Sequence, residues 1–227
     1  MTSKTCCDRR GAVKTIVCFG DSNTWGYDPV HLGRYGDHVR WTGILQDQLG
    51  SDYRIIEEGQ NGRTISQADP AEGGWKCGLD YLVPMLESHM PVDLLIVMLG
   101  TNDMKQRFCL SADDIAGTLQ TLLERAKTFD DFRRMLPGRM KILAVSPAPV
   151  GERMEESHFF GMFGKESVKK SRELASRYAA VAEKIGCGFF DAAAVTAAGE
   201  TDQLHLEQDG HAALGKALAE KVLEILG

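Results

Sequence analysis

The sequence Leu94-Leu95-Ile96-Val97-Met98-Leu99 is a run of six apolar residues with no polar interruption. A strand that is solvated on one face alternates apolar and polar residues, whereas a parallel strand covered on both faces is apolar throughout. The run therefore predicts a central parallel strand over residues 93–99. Gly100-Thr101-Asn102-Asp103 follows directly, at the point where this strand would end.

Four other short apolar runs alternate with segments that have helical spacing of apolar residues. They predict strands over residues 14–19, 53–57, 140–145 and 188–190, and helices over residues 41–49, 78–89, 165–185 and 208–226, with one more helix beginning at Ser111. Strands that alternate with helices indicate βαβ crossovers, and right-handed crossovers place helices on both faces of a parallel sheet. The sequence thus predicts a three-layer α/β/α fold, in which sites form beyond the carboxyl ends of the strands.

Length and composition narrow the function classes. A chain of 227 residues is long enough for one sizeable core, and we predict a single domain over residues 1–227, with residues 1–12 as a flexible amino-terminal tail. The net charge of −6 and the lack of a basic block argue against a nucleic-acid partner. No apolar run approaches the ~20 residues that span a membrane, and no secretory signal is evident.

The six cysteines form no C-x-x-C pair and no spacing typical of a metal site. We interpret them as reduced thiols and predict a cytoplasmic protein without a metal.

Ser22 lies in Gly20-Asp21-Ser22-Asn23, directly after the first predicted strand. A serine at that point can present its hydroxyl to a cleft, with free backbone N–H groups beside it that could stabilise an oxyanion. The plain alternative is a helix N-cap, for which Asp and Ser are common.

A serine needs a base to become a nucleophile, and Asp202-Gln203-Leu204-His205 offers one. The loop follows the fifth predicted strand and so reaches the same edge of the sheet. Asp202 could hold one ring nitrogen of His205 while the other faces Ser22. His211, two residues after Asp209, is the competing candidate for the base.

Asn102 and Gly62 are the further candidates for the site at this edge of the sheet. The side-chain NH₂ of Asn102 can donate to an oxyanion, and Gly62 can offer a backbone N–H at a close turn. Capping turns are the plain alternative for both segments. With the N–H of Ser22, these groups predict three oxyanion donors.

These residues resemble, in order and spacing, the four blocks of the SGNH hydrolase (GDSL esterase/lipase) superfamily. The motifs are Gly20-Asp21-Ser22, Gly62, Gly100-x-Asn102-Asp103 and Asp202-x-x-His205, and residues 18–26, 40–43, 56–59 and 98–103 look most like the arylesterase/acyltransferase branch. The resemblance implies a flavodoxin-like five-stranded parallel sheet and no metal or other cofactor. It also implies Ser22 as nucleophile, His205 as base and Asp202 as its orienting acid.

The resemblance also implies substrate-binding residues, and this sequence differs from the family motifs at two positions. It places Trp25 in the acyl pocket, where a bulky ring would favour short acyl chains, and we place Asp21 beside it in the substrate site. The alternative for Trp25 is a core tryptophan. Asn23 replaces the leucine of the GDSL motif, and Gln203 replaces a glycine common between the catalytic Asp and His. Neither change removes a reacting group.

We therefore predict a serine esterase that hydrolyses small-molecule substrates, namely short-chain aryl or acetyl esters, through an acyl-Ser22 intermediate. The resemblance to acyltransferases adds the expectation that the acyl group is also transferred to alcohols. The alternatives are a carbohydrate acetylesterase or an acyl-thioesterase using the same site, and a non-catalytic flavodoxin-like binding module. Residues 27–39 and 150–164 are long for connections. We expect these segments to wall the cleft and to bury apolar side chains against neighbouring subunits of a homo-oligomer, since the similar acyltransferases form octamers.

Overall fold

The computed structural model describes residues 12–132 and 140–227. Within these residues the elements are β1 (Lys14–Gly20), α1 (Ser22–Trp25), β2 (Tyr27–Asp28), β3 (Gly33–Arg34), α2 (Trp41–Leu49), β4 (Tyr53–Gly59), α3 (Gly78–His89), β5 (Leu94–Met98), α4 (Ala112–Phe132), β6 (Lys141–Ser146), α5 (Phe160–Phe163), α6 (Glu166–Ile185), β7 (Gly188–Asp191) and α7 (Gln208–Leu226). The five predicted strands and five predicted helices are confirmed.

The five main strands form one parallel sheet in the order β4-β1-β5-β6-β7. The chain moves from β1 outward to β4 and then crosses back to β5, so the strand order reverses between β1 and β5. In an open α/β sheet, ligands bind in the crevice at that reversal. The segments that follow β1 and β5 carry Ser22 and Asn102, respectively.

The apolar character of the central strands is explained by helices on both sheet faces. Every residue of β5 is buried, and alternate residues enter two separate cores. One core packs β-strand residues such as Val97 against α3, α4 and α6, and the other packs residues such as Ile96 against α2 and α7. This is the predicted three-layer arrangement.

The predicted start of α4 is confirmed in detail. The hydroxyl of Ser111 accepts the backbone N–H of Asp114 at 3.1 Å, and the Asp114 carboxylate accepts the backbone N–H of Ser111 at 2.9 Å. This reciprocal pair satisfies two backbone donors that a helix start otherwise leaves unpaired.

The sequence did not predict four short elements: α1, α5 and the two-residue antiparallel strands β2 and β3. All lie in the long connections or directly after β1. Segments of this length carry too few residues for a periodic pattern to be recognised.

Some predictions remain untested by the fold. The predicted flexible tail, apart from residue 12, lies outside the described residues, as do Cys6 and Cys7. The single domain over residues 1–227 stays a prediction. The described cysteines, at positions 18, 77, 109 and 187, are free. In the part of the chain that the structure describes, no helix has the length and apolarity needed to cross a membrane.

Candidate active site

Ser22 is the first residue of α1, immediately beyond the carboxyl end of β1. The Asp21 carboxylate accepts the backbone N–H of Asn23 at 3.0 Å and caps the short helix. Gly20 is required for this turn, because a Cβ at that position would collide with the side chain of Thr24. The turn buries Ser22 to 6% exposure at the floor of a cleft.

Ser22, His205 and Asp202 form a hydrogen-bonded chain. His205 Nε2 lies 2.9 Å from Ser22 Oγ, and His205 Nδ1 lies 2.6 Å from Asp202 Oδ2. The second oxygen of Asp202 accepts the backbone N–H groups of Leu204 and His205, at 2.9 and 2.8 Å. The predicted residues are therefore brought together, in the order that activates a serine.

The surroundings of Asp202 favour its ionised form. Burial alone raises the pKa of this carboxyl, but the hydrogen bond from His205, the charge of that ring and the two backbone N–H groups together hold the pKa below its ordinary value. Asp202 thus stays negative and can stabilise an imidazolium at His205. The His205 ring itself lies between Tyr27, with ring centroids 4.4 Å apart, and Phe159, at 5.4 Å.

Gly62 and Asn102 line the same cleft as Ser22. Asn102 Nδ2 donates one hydrogen bond to the carbonyl of Arg63 at 3.1 Å, which fixes the amide and leaves its other N–H for a ligand. Gly62 has φ of +79°, a conformation that favours glycine, and a Cβ there would collide with the carboxylate of Glu72. The structure thus places the three predicted oxyanion donors around one cavity.

The cavity in front of Ser22 has a volume of about 320 Å³ and two chemically different walls. One wall is apolar, and its residues are Tyr27, Phe159, Met162, Phe163 and Leu204. The other is polar, and its residues are Asn61, Glu72, Lys76 and Lys105. The predicted wall from segments 27–39 and 150–164 is present within one chain, since Tyr27 belongs to the first segment and Phe159 to the second.

The aromatic cluster of segment 150–164 is largely covered by the chain itself. Phe163 is buried, and Phe159 and Met162 pack against the core formed with α4 and α6. Only Phe160 is exposed among these, at 37%. The chain itself therefore covers most of this cluster, and the expected contact of the segment with a neighbouring subunit stays a prediction.

Two predicted substrate-binding residues do not reach the cavity. Asp21 is 1% exposed and caps α1, so we assign it a structural role in the nucleophile turn. Burial raises its pKa to about 6. Trp25 is half-buried and does not line the cavity, and the Arg34 guanidinium lies 4.9 Å from the centroid of its ring.

His211, the competing base, lies in α7 and is fully buried. Its Nδ1 accepts the backbone N–H of Trp41 at 3.3 Å, and burial lowers its pKa to about 4. It does not line the cavity around Ser22. This ring therefore has a packing role between α2 and α7.

The polar wall is held by a network of four charged side chains that the sequence analysis did not identify. Lys105 Nζ is buried and donates to Asp69 at 3.0 Å and to Glu72, and Arg107 donates to the same two carboxylates at 2.7 and 2.8 Å. The partners are more than thirty residues apart in sequence, so no spacing pattern could have indicated them. The network fixes Glu72 against Gly62. Among the described residues, no cluster of three or more His, Cys, Asp or Glu side chains could hold a metal ion.

Comparison with known proteins agrees with this geometry. The sequence profile of the GDSL-like lipase/acylhydrolase family matches residues 18–213. The chain belongs to the GDSL-like lipase/acylhydrolase family. It is a carboxylic ester hydrolase of the SGNH hydrolase superfamily, as predicted, and the alternative of a non-catalytic binding module is not retained.

Solved structures of this family superpose closely. The native aryl esterase of M. smegmatis is 39% identical, with a TM-score of 0.88, over 94% of this chain and 100% of that one. A carbohydrate acetylesterase from Sinorhizobium meliloti is 38% identical, with a TM-score of 0.87, over 94% and 100%. A second S. meliloti member of the carbohydrate acetylesterase family is 35% identical, with a TM-score of 0.86, over 94% and 99%. None of the curated proteins compared with this chain matches it.

The two departures from the family motifs leave the site geometry intact. Gln203 has φ of +62°, which explains why a glycine is common at this position. Its side-chain oxygen accepts the backbone N–H of Arg153 at 3.1 Å, and its amide donates to the carbonyl of Glu200 at 3.0 Å. Gln203 thus ties the His205 loop to the segment that carries Phe159.

Proposed function

We propose that this enzyme hydrolyses short-chain acyl esters through a covalent acyl-Ser22 intermediate. The observation that carries the proposal is the chain Ser22 Oγ, His205 Nε2, His205 Nδ1 and Asp202 Oδ2, with separations of 2.9 and 2.6 Å, in a cavity also lined by Gly62 and Asn102.

Acylation begins when Ser22 Oγ attacks the ester carbonyl carbon while His205 Nε2 takes the hydroxyl proton. The carbonyl oxygen becomes an oxyanion that accepts hydrogen bonds from the N–H of Ser22, the N–H of Gly62 and Nδ2 of Asn102. When the tetrahedral intermediate collapses, the bond to the alcohol breaks. His205 returns the proton to the departing alkoxide, which leaves as a neutral alcohol.

Deacylation repeats the sequence with water. His205 takes a proton from the water as its oxygen attacks the acyl carbon, and the second tetrahedral intermediate releases the carboxylic acid and restores the Ser22 hydroxyl. Asp202, which is negative and fixed by two backbone N–H groups, stabilises the imidazolium in both halves.

The size of the cavity supports short acyl chains. About 320 Å³ must hold both the acyl group and the alcohol, and Phe159, Met162 and Phe163 close one side. The sequence-based reason for this preference was Trp25, which does not line the cavity. The aromatic wall of segment 150–164 takes that role in our proposal.

A carbohydrate acetyl ester is a second candidate substrate, because the other wall is polar. Asn61, Glu72 and Lys76 offer acceptors and donors that match hydroxyl groups. The similar S. meliloti carbohydrate acetylesterase supports the same candidate. Nothing in the cavity specifically favours an acyl thioester.

The decisive experiment compares wild-type enzyme with Ser22→Ala on an aryl acetate and an acetylated sugar. We expect loss of turnover on both, an unchanged circular dichroism spectrum, and loss of labelling by a fluorophosphonate, which reacts readily only with an activated serine. Turnover near the wild-type level in Ser22→Ala would reject the acyl-Ser22 mechanism. Adding an acyl thioester to the substrate panel and repeating it with alcohol acceptors measures acyl length, leaving group and the ratio of transfer to hydrolysis.

Homo-oligomerisation stays a prediction, and exposed apolar side chains in and near segment 27–39 support it. Exposed apolar side chains lie next to cavity-lining residues: Val30 and Leu32 in the segment that contains Tyr27, at 57% and 70%, and Trp75 beside Lys76, at 70%. We propose that these residues are covered by another copy of the chain. A monomeric mass in light scattering would reject the proposal.

A further inference from the structure

Asn23 connects the nucleophile turn to the base loop. Its side-chain Oδ1 accepts the backbone N–H of Leu206 at 2.9 Å, across a sequence separation of 183 residues. Asn23 directly follows Ser22, and Leu206 directly follows His205. Asn23 is 4% exposed and Leu206 1%, so the bond is shielded from water.

Both partners of this bond are themselves fixed. The backbone N–H of Asn23 donates to the Asp21 carboxylate at 3.0 Å, which locks the start of α1. The Leu206 side chain is buried in the core between the sheet, α2 and α7. The bond therefore joins two anchored points on either side of the reacting pair.

The other hydrogen bonds of the base loop run in different directions. The carbonyl of Gln203 accepts the N–H of Gly151 at 2.8 Å, and the carbonyl of His205 accepts the N–H of Gly199 at 2.7 Å. Among the hydrogen bonds of the described residues, only Asn23 to Leu206 and His205 to Ser22 itself link this loop to the nucleophile turn. The leucine that the family's motif has at this position could not make such a bond, since it has no acceptor.

We propose that Asn23 is a positioning residue that holds His205 Nε2 in register with Ser22 Oγ. It does not touch the reacting atoms, and it acts through the backbone of Leu206. The proposal rests on the proposed function, because it concerns the same site. Without the bond, the contact between Ser22 Oγ and His205 Nε2 would be the only hydrogen bond among the described residues between the nucleophile turn and the base loop.

The test is Asn23→Leu, which restores the residue of the family motif and leaves the Leu206 N–H without an acceptor. Displacements of about 1 Å in a catalytic pair cost up to about 10²-fold in rate, so we expect kcat to fall roughly 10- to 100-fold while KM stays within about twofold. The rate of fluorophosphonate labelling of Ser22 should fall by a similar factor, since it depends on the same activation and needs no ester. Asn23→Asp, which keeps an acceptor oxygen, should recover most of both rates.

Gln46→Leu is the matched control. Gln46 Oε1 accepts the backbone N–H of Ile55 at 2.9 Å, at the amino end of β4 and therefore at the sheet edge opposite Ser22. Gln46→Leu removes the same kind of bond, from a backbone donor to an amide side chain. It also removes the two bonds that Gln46 Nε2 donates to the carbonyls of Gly50 and Tyr53, at 2.9 and 3.0 Å, so it is the harsher substitution. We expect a lower Tm with kcat and labelling rate unchanged.

The proposal is overturned if Asn23→Leu keeps kcat and the labelling rate within about twofold of wild type, whatever happens to its Tm, or if Gln46→Leu loses as much kcat. Should Asn23→Leu fail to fold, Asn23→Ser replaces it with the same expectation, because the shorter side chain cannot reach Leu206. A wild-type enzyme that is neither active on esters nor labelled would instead reject the proposed function. The two failures are therefore distinguishable.

Discussion

Asp202 divides its carboxylate between two tasks: Oδ2 faces His205 Nδ1 at 2.6 Å, while Oδ1 accepts the backbone N–H of His205 at 2.8 Å and that of Leu204 at 2.9 Å. The same side chain thus orients the imidazole ring and folds the loop that carries it. Removing the negative charge and removing the side chain should therefore have different consequences.

Asp202→Asn should change the fold little, because the amide oxygen can still accept the two backbone N–H groups. It should lower kcat by about 10³–10⁴-fold, because the amide NH₂ faces Nδ1 and forces the wrong tautomer on His205. Asp202→Ala should lose comparable activity and also stability. Steady-state kinetics and thermal unfolding of both variants measure the two effects. More than a tenth of wild-type kcat in Asp202→Asn would contradict the assigned role.

His205→Ala and His211→Gln should separate the two candidate bases. We expect His205→Ala to lose turnover by a factor similar to Ser22→Ala, since both remove a member of one hydrogen-bonded chain. His211→Gln should keep kcat and lose stability by ~1–3 kcal/mol, because the ring is buried and accepts the N–H of Trp41. Kinetics and urea unfolding test this, and a loss of turnover confined to His211→Gln would reverse the assignment.

Much of this arrangement could be predicted from sequence because periodicity and strand ends report topology. The apolar run over β5 indicated a strand buried on both faces, as the structure has it. The residues after β1 and β5 lie where the strand order reverses, which is where parallel sheets form their sites. Asp202 and His205 are close in sequence, so their contact was predictable from the spacing alone.

The remaining wall of the site could not be predicted, because it depends on tertiary contacts. Lys105 meets Asp69 and Glu72 across more than thirty residues, and Tyr27 reaches His205 from a connection without a periodic pattern. Trp25, expected in the acyl pocket, lies in the four-residue helix α1, which the pattern did not reveal, and it does not line the cavity. The motifs thus identified the candidate catalytic residues, whereas the shape of the cavity is set by loops that have no sequence motif.

Asn102→Ala should lower kcat by about 10²–10³-fold, the usual cost of losing one oxyanion donor. Because the effect concerns a charge present only in the transition state, KM should change little. Asn102→Asp should lose more, since a carboxylate would face the oxyanion. Kinetics on one aryl ester check both, and equal kcat for Asn102→Ala and wild type would remove Asn102 from the set of donors.

Gln203 offers a test of backbone strain beside the site, because it has φ of +62° without being glycine. Gln203→Ala keeps the strain and loses the hydrogen bonds to Arg153 and Glu200, so its free energy of unfolding should fall by ~1–2 kcal/mol. Gln203→Gly loses the same bonds and relieves ~1–2 kcal/mol of left-handed strain, partly offset by a more flexible unfolded chain. Urea unfolding should therefore rank Gly above Ala, and the reverse order would show that the backbone here is unstrained.

Asp103 should make stability depend on pH in an unusual direction. Burial raises the pKa of this carboxyl to about 7, although it accepts the backbone N–H of Ile65 at 3.0 Å. The folded chain therefore keeps a proton that the unfolded chain loses near its ordinary pKa of 3.8, and the stability that this proton contributes is lost as pH rises from about 4 to about 7.

Asp103→Asn stays neutral throughout that range, so the free energy of unfolding of the variant minus that of wild type should rise with pH between about 4 and about 7. Taking the difference cancels the titrating groups that do not interact with Asp103, such as His211, whereas Asp21, whose charge raises the pKa of Asp103, is coupled to it and contributes to the rise. The exposed residue Asp113, whose pKa is lowered by its hydrogen bond from Arg177, provides the control: Asp113→Asn should show no such rise, because the sign of its shift is opposite. Urea unfolding of the three proteins across this range makes the measurement, and a flat difference for Asp103→Asn would show that the carboxyl is ionised in its buried position.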